Sequence, residues 1–168
     1  MRLSVMLIAV AISACAAERA RGPLTIPLGL STADTGRALR TFDFCRQPAP
    51  PSSEELFPTC SHPGLGHGDA WVVAHYQGGV LVRLQRFERW PDPGAAKARW
   101  DALIAQRAQT SPPSEGARDQ LAARQEIPAG TQAWVAFSTA DQLVGLYLLT
   151  PSSPEEPSLV EDILPAIE

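Results

Sequence analysis

All three histidines of this chain, His62, His67 and His75, fall within fourteen residues of one another, beside Cys60 and Asp69. The run Cys60-x-His62-x4-His67-x-Asp69 joins a thiol, two imidazoles and a carboxylate, a donor set that suits zinc or copper if the loop wraps an ion. Its spacing matches no zinc or copper motif, and an oxidised Cys60 would drop out of it. The glycines Gly64, Gly66 and Gly68 make this loop pliable but build no phosphate cradle, because no lysine-serine or lysine-threonine pair follows and no strand precedes. No Gly-x-Ser-x-Gly elbow occurs, and Ser61 is the one serine beside a histidine. The neighbouring acids Glu54 and Glu55, and Glu155 and Glu156, have the look of solvated loop residues rather than a catalytic pair. The chemistry therefore points away from catalysis, with periplasmic zinc or copper binding through His62, His67 and Asp69 as one alternative. A hydrolase site assembled from distant residues is the other.

A binding surface is the remaining option. Trp134 and Tyr147 should lie near each other across a hairpin, flanked by the small Ala136, Ser138 and Gly145, so that two rings stand over a shallow floor. Either this face is open to an apolar ligand or partner, or another element covers it and the rings belong to the core.

The N-terminus bears on where such chemistry operates. Leu3 to Ile12 is apolar, Arg2 precedes it, and Ser13 and Ala14 lead to Cys15. This is the layout of a secretory signal peptide, too short to span a bilayer. Ile12, Ser13, Ala14 and Cys15 resemble the lipobox of bacterial lipoproteins. The resemblance covers about fifteen residues and implies that Cys15 is diacylated and becomes the first residue of the mature chain. It implies residues 1–14 as signal, 15–23 as lipidated cysteine and tether, and a membrane partner through the lipid. Because Ala16 is not the aspartate associated with inner-membrane retention, it also implies the periplasmic face of an outer membrane in a two-membrane organism. An ordinary signal, with Ala14 and Ala16 as the small-residue pair before the cut and a soluble periplasmic protein as the product, is the alternative. With Cys15 consumed by lipid, Cys45 and Cys60 are the two thiols left, and an oxidising compartment favours pairing them.

Residues 24–168 suffice for one domain. The first fourteen residues hold one base, Arg2, and no acid, so the remainder carries 13 bases against 18 acids, which gives no reason to expect nucleic acid. The composition calls for no cofactor. Bases gather between Arg83 and Arg107, while Gln125 to Glu168 has seven acids and no base, so the surface should be dipolar or the two sets should meet inside the fold.

These residues need elements to hold them. Leu24, Ile26, Leu28 and Leu30 alternate as in an edge strand interrupted by Pro27. A short helix capped by Ser31 or Thr32 should run to Arg40. Residues 46–69 read as an irregular loop rich in proline and glycine. Trp71 to Gln77 and Val80 to Arg89 form a hairpin through Gly78 and Gly79, in which Tyr76 opposes Leu81, Ala74 opposes Arg83, His75 opposes Val82, Val73 opposes Leu84 and Trp71 opposes Arg86. That register puts His75 on the apolar face. Asp92 caps a helix carrying Ala96, Trp100, Leu103 and Ile104, with Trp100 in the core. A second short helix spans Ala117 to Gln125. A hairpin of Ala133 to Thr139 and Leu143 to Leu149 follows, with Val135, Phe137, Val144, Leu146 and Leu148 on one face. Leu159, Val160, Ile163, Leu164 and Ile167 repeat at helical spacing. Both hairpins open with the same triplet, at Ala70-Trp71-Val72 and Ala133-Trp134-Val135. The expected fold is thus α+β: an antiparallel sheet of four to five strands made from two hairpin-helix units, with the helices packed on one face. In function it reads as a membrane-anchored exported lipoprotein that binds an envelope protein or a small apolar ligand without catalysis.

Overall fold

The computed structural model describes residues 22–47, 52–60, 70–90 and 92–166. The described chain is α+β, with three helices and a six-stranded antiparallel sheet. The elements in chain order are α1 (Thr32–Arg40), β1 (Glu54–Pro58), β2 (Ala70–Gln77), β3 (Val80–Glu88), α2 (Pro93–Ala108), α3 (Glu115–Ala123), β4 (Thr131–Ser138), β5 (Gln142–Leu149) and β6 (Leu159–Pro165). The strand order is β1-β2-β3-β6-β5-β4. The two hairpins are therefore not neighbours, and β6 is wedged between them, pairing Leu84 with Ile163 on one side and Val144 with Ile163 on the other.

That wedge corrects the expectation of a C-terminal helix. Leu159 to Leu164 is buried at every position, which is the pattern of a central strand covered on both faces and cannot be told from a helical stripe by spacing alone. Glu161 and Asp162, which a helix would turn to solvent, point to opposite faces and meet arginines there. Two further strands raise the count from four or five to six. One is β6, and the other is β1, a five-residue edge strand inside the segment expected to be an irregular loop.

Residues 24–30 keep their alternation without joining the sheet. Leu24 and Ile26 are buried, but Pro23 and Pro27 lack donors, so side chains replace the ladder. Glu161 accepts from Leu24 N at 3.3 Å, Arg107 Nη2 donates to Leu24 O at 2.9 Å, and Gln142 Nε2 donates to Ile26 O at 3.1 Å. The segment is a strap across the sheet that ends where Leu81 bonds to Gly29 and Leu30.

The strap, α1 and α2 cover one face. Leu24, Ile26, Leu39 and Leu103 pack there with Phe57, Val72, Leu84, Val144, Leu146 and Ile163 as the main core. Trp100, expected in the core, sits half-buried at its margin and donates from Nε1 to Leu146 O at 3.3 Å. The helices are not confined to that face. Ala117 and Leu121 of α3 pack on Ala136, Leu143 and Leu164, which point the other way. The helix caps follow the sequence: Ser31, Asp92 and Ser114 each accept from the backbone N–H three residues on.

The Gly78, Gly79 turn has φ of 60° and 78°, as a two-residue hairpin turn requires. Tyr76 opposes Leu81 as expected, but a bulge between His75 and Tyr76 shifts the rest by one, so Ala74 faces Leu84 and His75 faces Arg83. His75 is thereby moved off the main core face, where Val72, Ala74 and Tyr76 are buried, to the half-buried opposite side.

Candidate functional site

Cys45 and Cys60 form a disulfide with a Cα separation of 4.9 Å. The chain around it is doubly tied, since Cys45 N donates to Pro58 O at 2.9 Å and Cys60 N to Asp43 O at 2.7 Å. This takes Cys60 out of any thiolate site. His62, His67, Asp69 and Cys15 lie outside the described residues, among which no cluster of three metal donors occurs. His75 is hydrogen-bonded to Gln85 Oε1 at 3.0 Å and lies 3.2 Å from Glu54 Oε1. Neither of these two partners makes it the base of a serine or cysteine nucleophile. Among the described residues no helix is long and apolar enough to cross a membrane.

The aromatic pair is present but is not the open surface it could have been. Trp134 and Tyr147 are cross-strand partners with ring centroids 5.8 Å apart and planes 16° from parallel. Tyr147 is wholly buried, and Arg118 of α3 lies 4.7 Å above the Trp134 ring. The shallow floor expected at Gly145 is filled by Tyr147 itself, because a Cβ on Gly145 would lie 2.3 Å from its hydroxyl oxygen. Burial first, and the nearby Asp162 carboxyl second, push the Tyr147 hydroxyl pKa well up.

Beneath both faces runs a set of buried charges. On the main core face Glu161 meets Arg86 Nη2 at 2.8 Å, and Arg107 reaches the same carboxylate. Arg86 also lies 3.2 Å from Glu88. Glu88 accepts from Arg99 Nε at 2.8 Å and Nη2 at 2.7 Å, and from Trp90 Nε1 at 3.2 Å. Burial alone would raise the Glu88 carboxyl, but Arg86, Arg99 and the indole N–H outweigh it and hold the pKa below the usual range. On the other face Asp162 accepts from Arg83 at 2.9 and 2.6 Å. There burial wins, with Glu126 adding repulsion, and the Asp162 carboxyl is raised. The basic stretch and the acidic stretch of the sequence thus meet inside the fold.

A cleft opens where this network reaches the surface. β3 ends at Glu88, and Trp90 follows with its indole fixed by the Glu88 carboxylate. Asp92 then starts α2, accepting from Ala95 N at 2.8 Å. Across from them β5 ends at Leu149, and residues 150–158 return through three prolines to β6. Between these segments is a cleft of about 720 Å³, a size common for small-ligand sites. Trp90, Pro93, Pro151, Pro154 and Leu149 line it, with the buried Leu148 and Ala96. At one side β4 carries an extra residue between Thr131 and Ala133, and this bulge aims Gln132 at Thr150 Oγ1.

The polar groups of the cleft are largely committed. The Asp92 carboxylate occupies the α2 N-terminus, Ser158 Oγ accepts from Trp90 N at 3.3 Å, and Arg89 donates to Glu155 O while lying 5.4 Å over the Trp71 ring. No histidine or cysteine lines the cleft. The arrangement suits holding an apolar group. Its marks in the sequence, a proline-rich break after β5 and a capped helix start, look like ordinary boundaries. No protein-family model matches the chain, and neither a curated protein nor a solved structure is similar to it.

Proposed function

We propose that this protein is an exported, membrane-anchored binding domain of the cell envelope that holds an apolar ligand in the cleft beside Trp90 and does no chemistry on it. The observation that carries the reading is the pre-set cleft wall: the Trp90 indole is fixed by a buried carboxylate that two arginines hold ionised. Such a wall costs little ordering on binding. The anchor rests on the run ending at Cys15, and export agrees with the disulfide.

Two measurements test this. In a host that processes lipoproteins, the full chain should sediment with membranes and show the mass of a diacyl group, while Cys15→Ser should be released. The fluorescent apolar probe N-phenyl-1-naphthylamine should bind the folded protein saturably at one site, with affinity reduced about tenfold or more in Trp90→Ala. A folded Trp90→Ala protein that binds the probe unchanged would overturn the assignment of the cleft.

A further inference from the structure

The cleft and Gly22, where the described chain starts, lie toward the same end of the sheet. Gly22 O accepts a hydrogen bond from Arg86 Nη1 at 2.7 Å. Two residues further along β3, on the same face, Glu88 holds the Trp90 indole in the cleft wall. From Gly22 the strap runs away from that end, reaching Leu81 beside the Gly78, Gly79 turn. Strands of eight residues, such as β2 and β5, put about 27 Å between the two ends. Six residues lie between Cys15 and Gly22, and the seven steps from one Cα to the next reach at most about 25 Å when fully extended.

On the lipid-anchor reading, on which this inference rests, the short tether holds the cleft end close to the bilayer. The hairpin turns at the other end stand away from it. We propose that the ligand of the cleft is an acyl chain of a lipid from the membrane that holds the protein.

The chemistry of the cleft fits a chain rather than a charged group. Asp92 is engaged by the helix it caps, and Arg89 Nη2 by the Glu155 carbonyl with the guanidinium over the Trp71 ring. Trp90, Leu148, Leu149 and the proline rings make the larger part of the lining apolar, beside Gln132, Thr150 and three serines. Ser152 and Ser153 sit in the loop that borders the cleft, where a headgroup can stay in water.

The test uses the full chain reconstituted into phosphatidylglycerol and phosphatidylethanolamine vesicles whose acyl chains are brominated, since bromine quenches tryptophan on contact. Quenching should be at least twofold greater for the wild type than for Trp90→Phe, and Ser153→Phe, which narrows the cleft while leaving Trp90 in place, should reduce it. Equal quenching in wild type and Trp90→Phe, or none in either, overturns the proposal. Free dibromostearate added to the Cys15→Ser chain separates the two readings. Quenching by the free chain but not by the vesicles leaves an apolar binding cleft and overturns the membrane source. Binding of N-phenyl-1-naphthylamine with no quenching by either brominated probe overturns the acyl chain alone. No binding of any probe removes the cleft reading as well.

Discussion

Gly145 and Tyr147 show how two residues on one strand decide what a face can do. A Gly145→Ala methyl would meet the Tyr147 ring at 2.3 to 2.5 Å, so either the ring or the strand must move. We expect a loss of about 1–3 kcal/mol, read as a lower melting temperature with a changed near-ultraviolet aromatic signal. The Tyr147 hydroxyl is buried without a hydrogen-bond partner among the described residues, so Tyr147→Phe should leave stability unchanged or raise it by up to about 1 kcal/mol. The buried acids give opposite pH slopes. Glu88 titrates below its ordinary 4.5, so its contribution is complete above that value and is lost as pH falls through the lowered folded pKa. Asp162 titrates above its ordinary 3.8, so its contribution is complete below that value and is lost as pH rises through the raised folded pKa. Denaturation between pH 3 and 7 should therefore show the stability gap between wild type and Glu88→Gln shrinking toward acid. Relative to Asp162→Asn, the wild type should instead gain stability toward acid.

Elements were legible where their own residues decided them. The caps at Ser31 and Asp92, the diglycine turn and the period-two faces of β4 and β5 all depend on neighbours a few positions apart. The face assignment of Val135, Phe137, Val144 and Leu146 therefore held without tertiary information. β6 was misread because burial on both faces erases the alternation that distinguishes a strand, and because Glu161 and Asp162 look solvent-seeking until Arg83, Arg86 and Arg107 are placed beside them. The bulge at His75 left no mark in the sequence, so the register beyond it slipped. The cleft was invisible because its lining comes from segments far apart in the chain. The strap tests the buried charges directly. Glu161→Ala takes the carboxylate away from two buried guanidiniums and from the Leu24 N–H, and should cost about 3–5 kcal/mol, together with faster proteolysis of the N-terminal segment. Removing the disulfide as Cys45→Ser with Cys60→Ser should cost about 3 kcal/mol in the chain-entropy view. A thermal melt would show this as a drop of about 6–12 °C.

At the scale of the molecule, the sheet is ordered by its last strand. Leu24 and Glu161 are 137 residues apart and hydrogen-bonded, and among the described strands β6 is the one that pairs with both the β1-β2-β3 and the β5-β4 halves. Without β6 each half has an open edge, and Arg83 and Arg86 of β3 lose Asp162 and Glu161. The consequence belongs to the export proposed above. A chain that crosses amino end first cannot close this sheet until its final strand has emerged. It stays threadable for the whole transit, and it becomes compact only when both ends of the domain are on the same side.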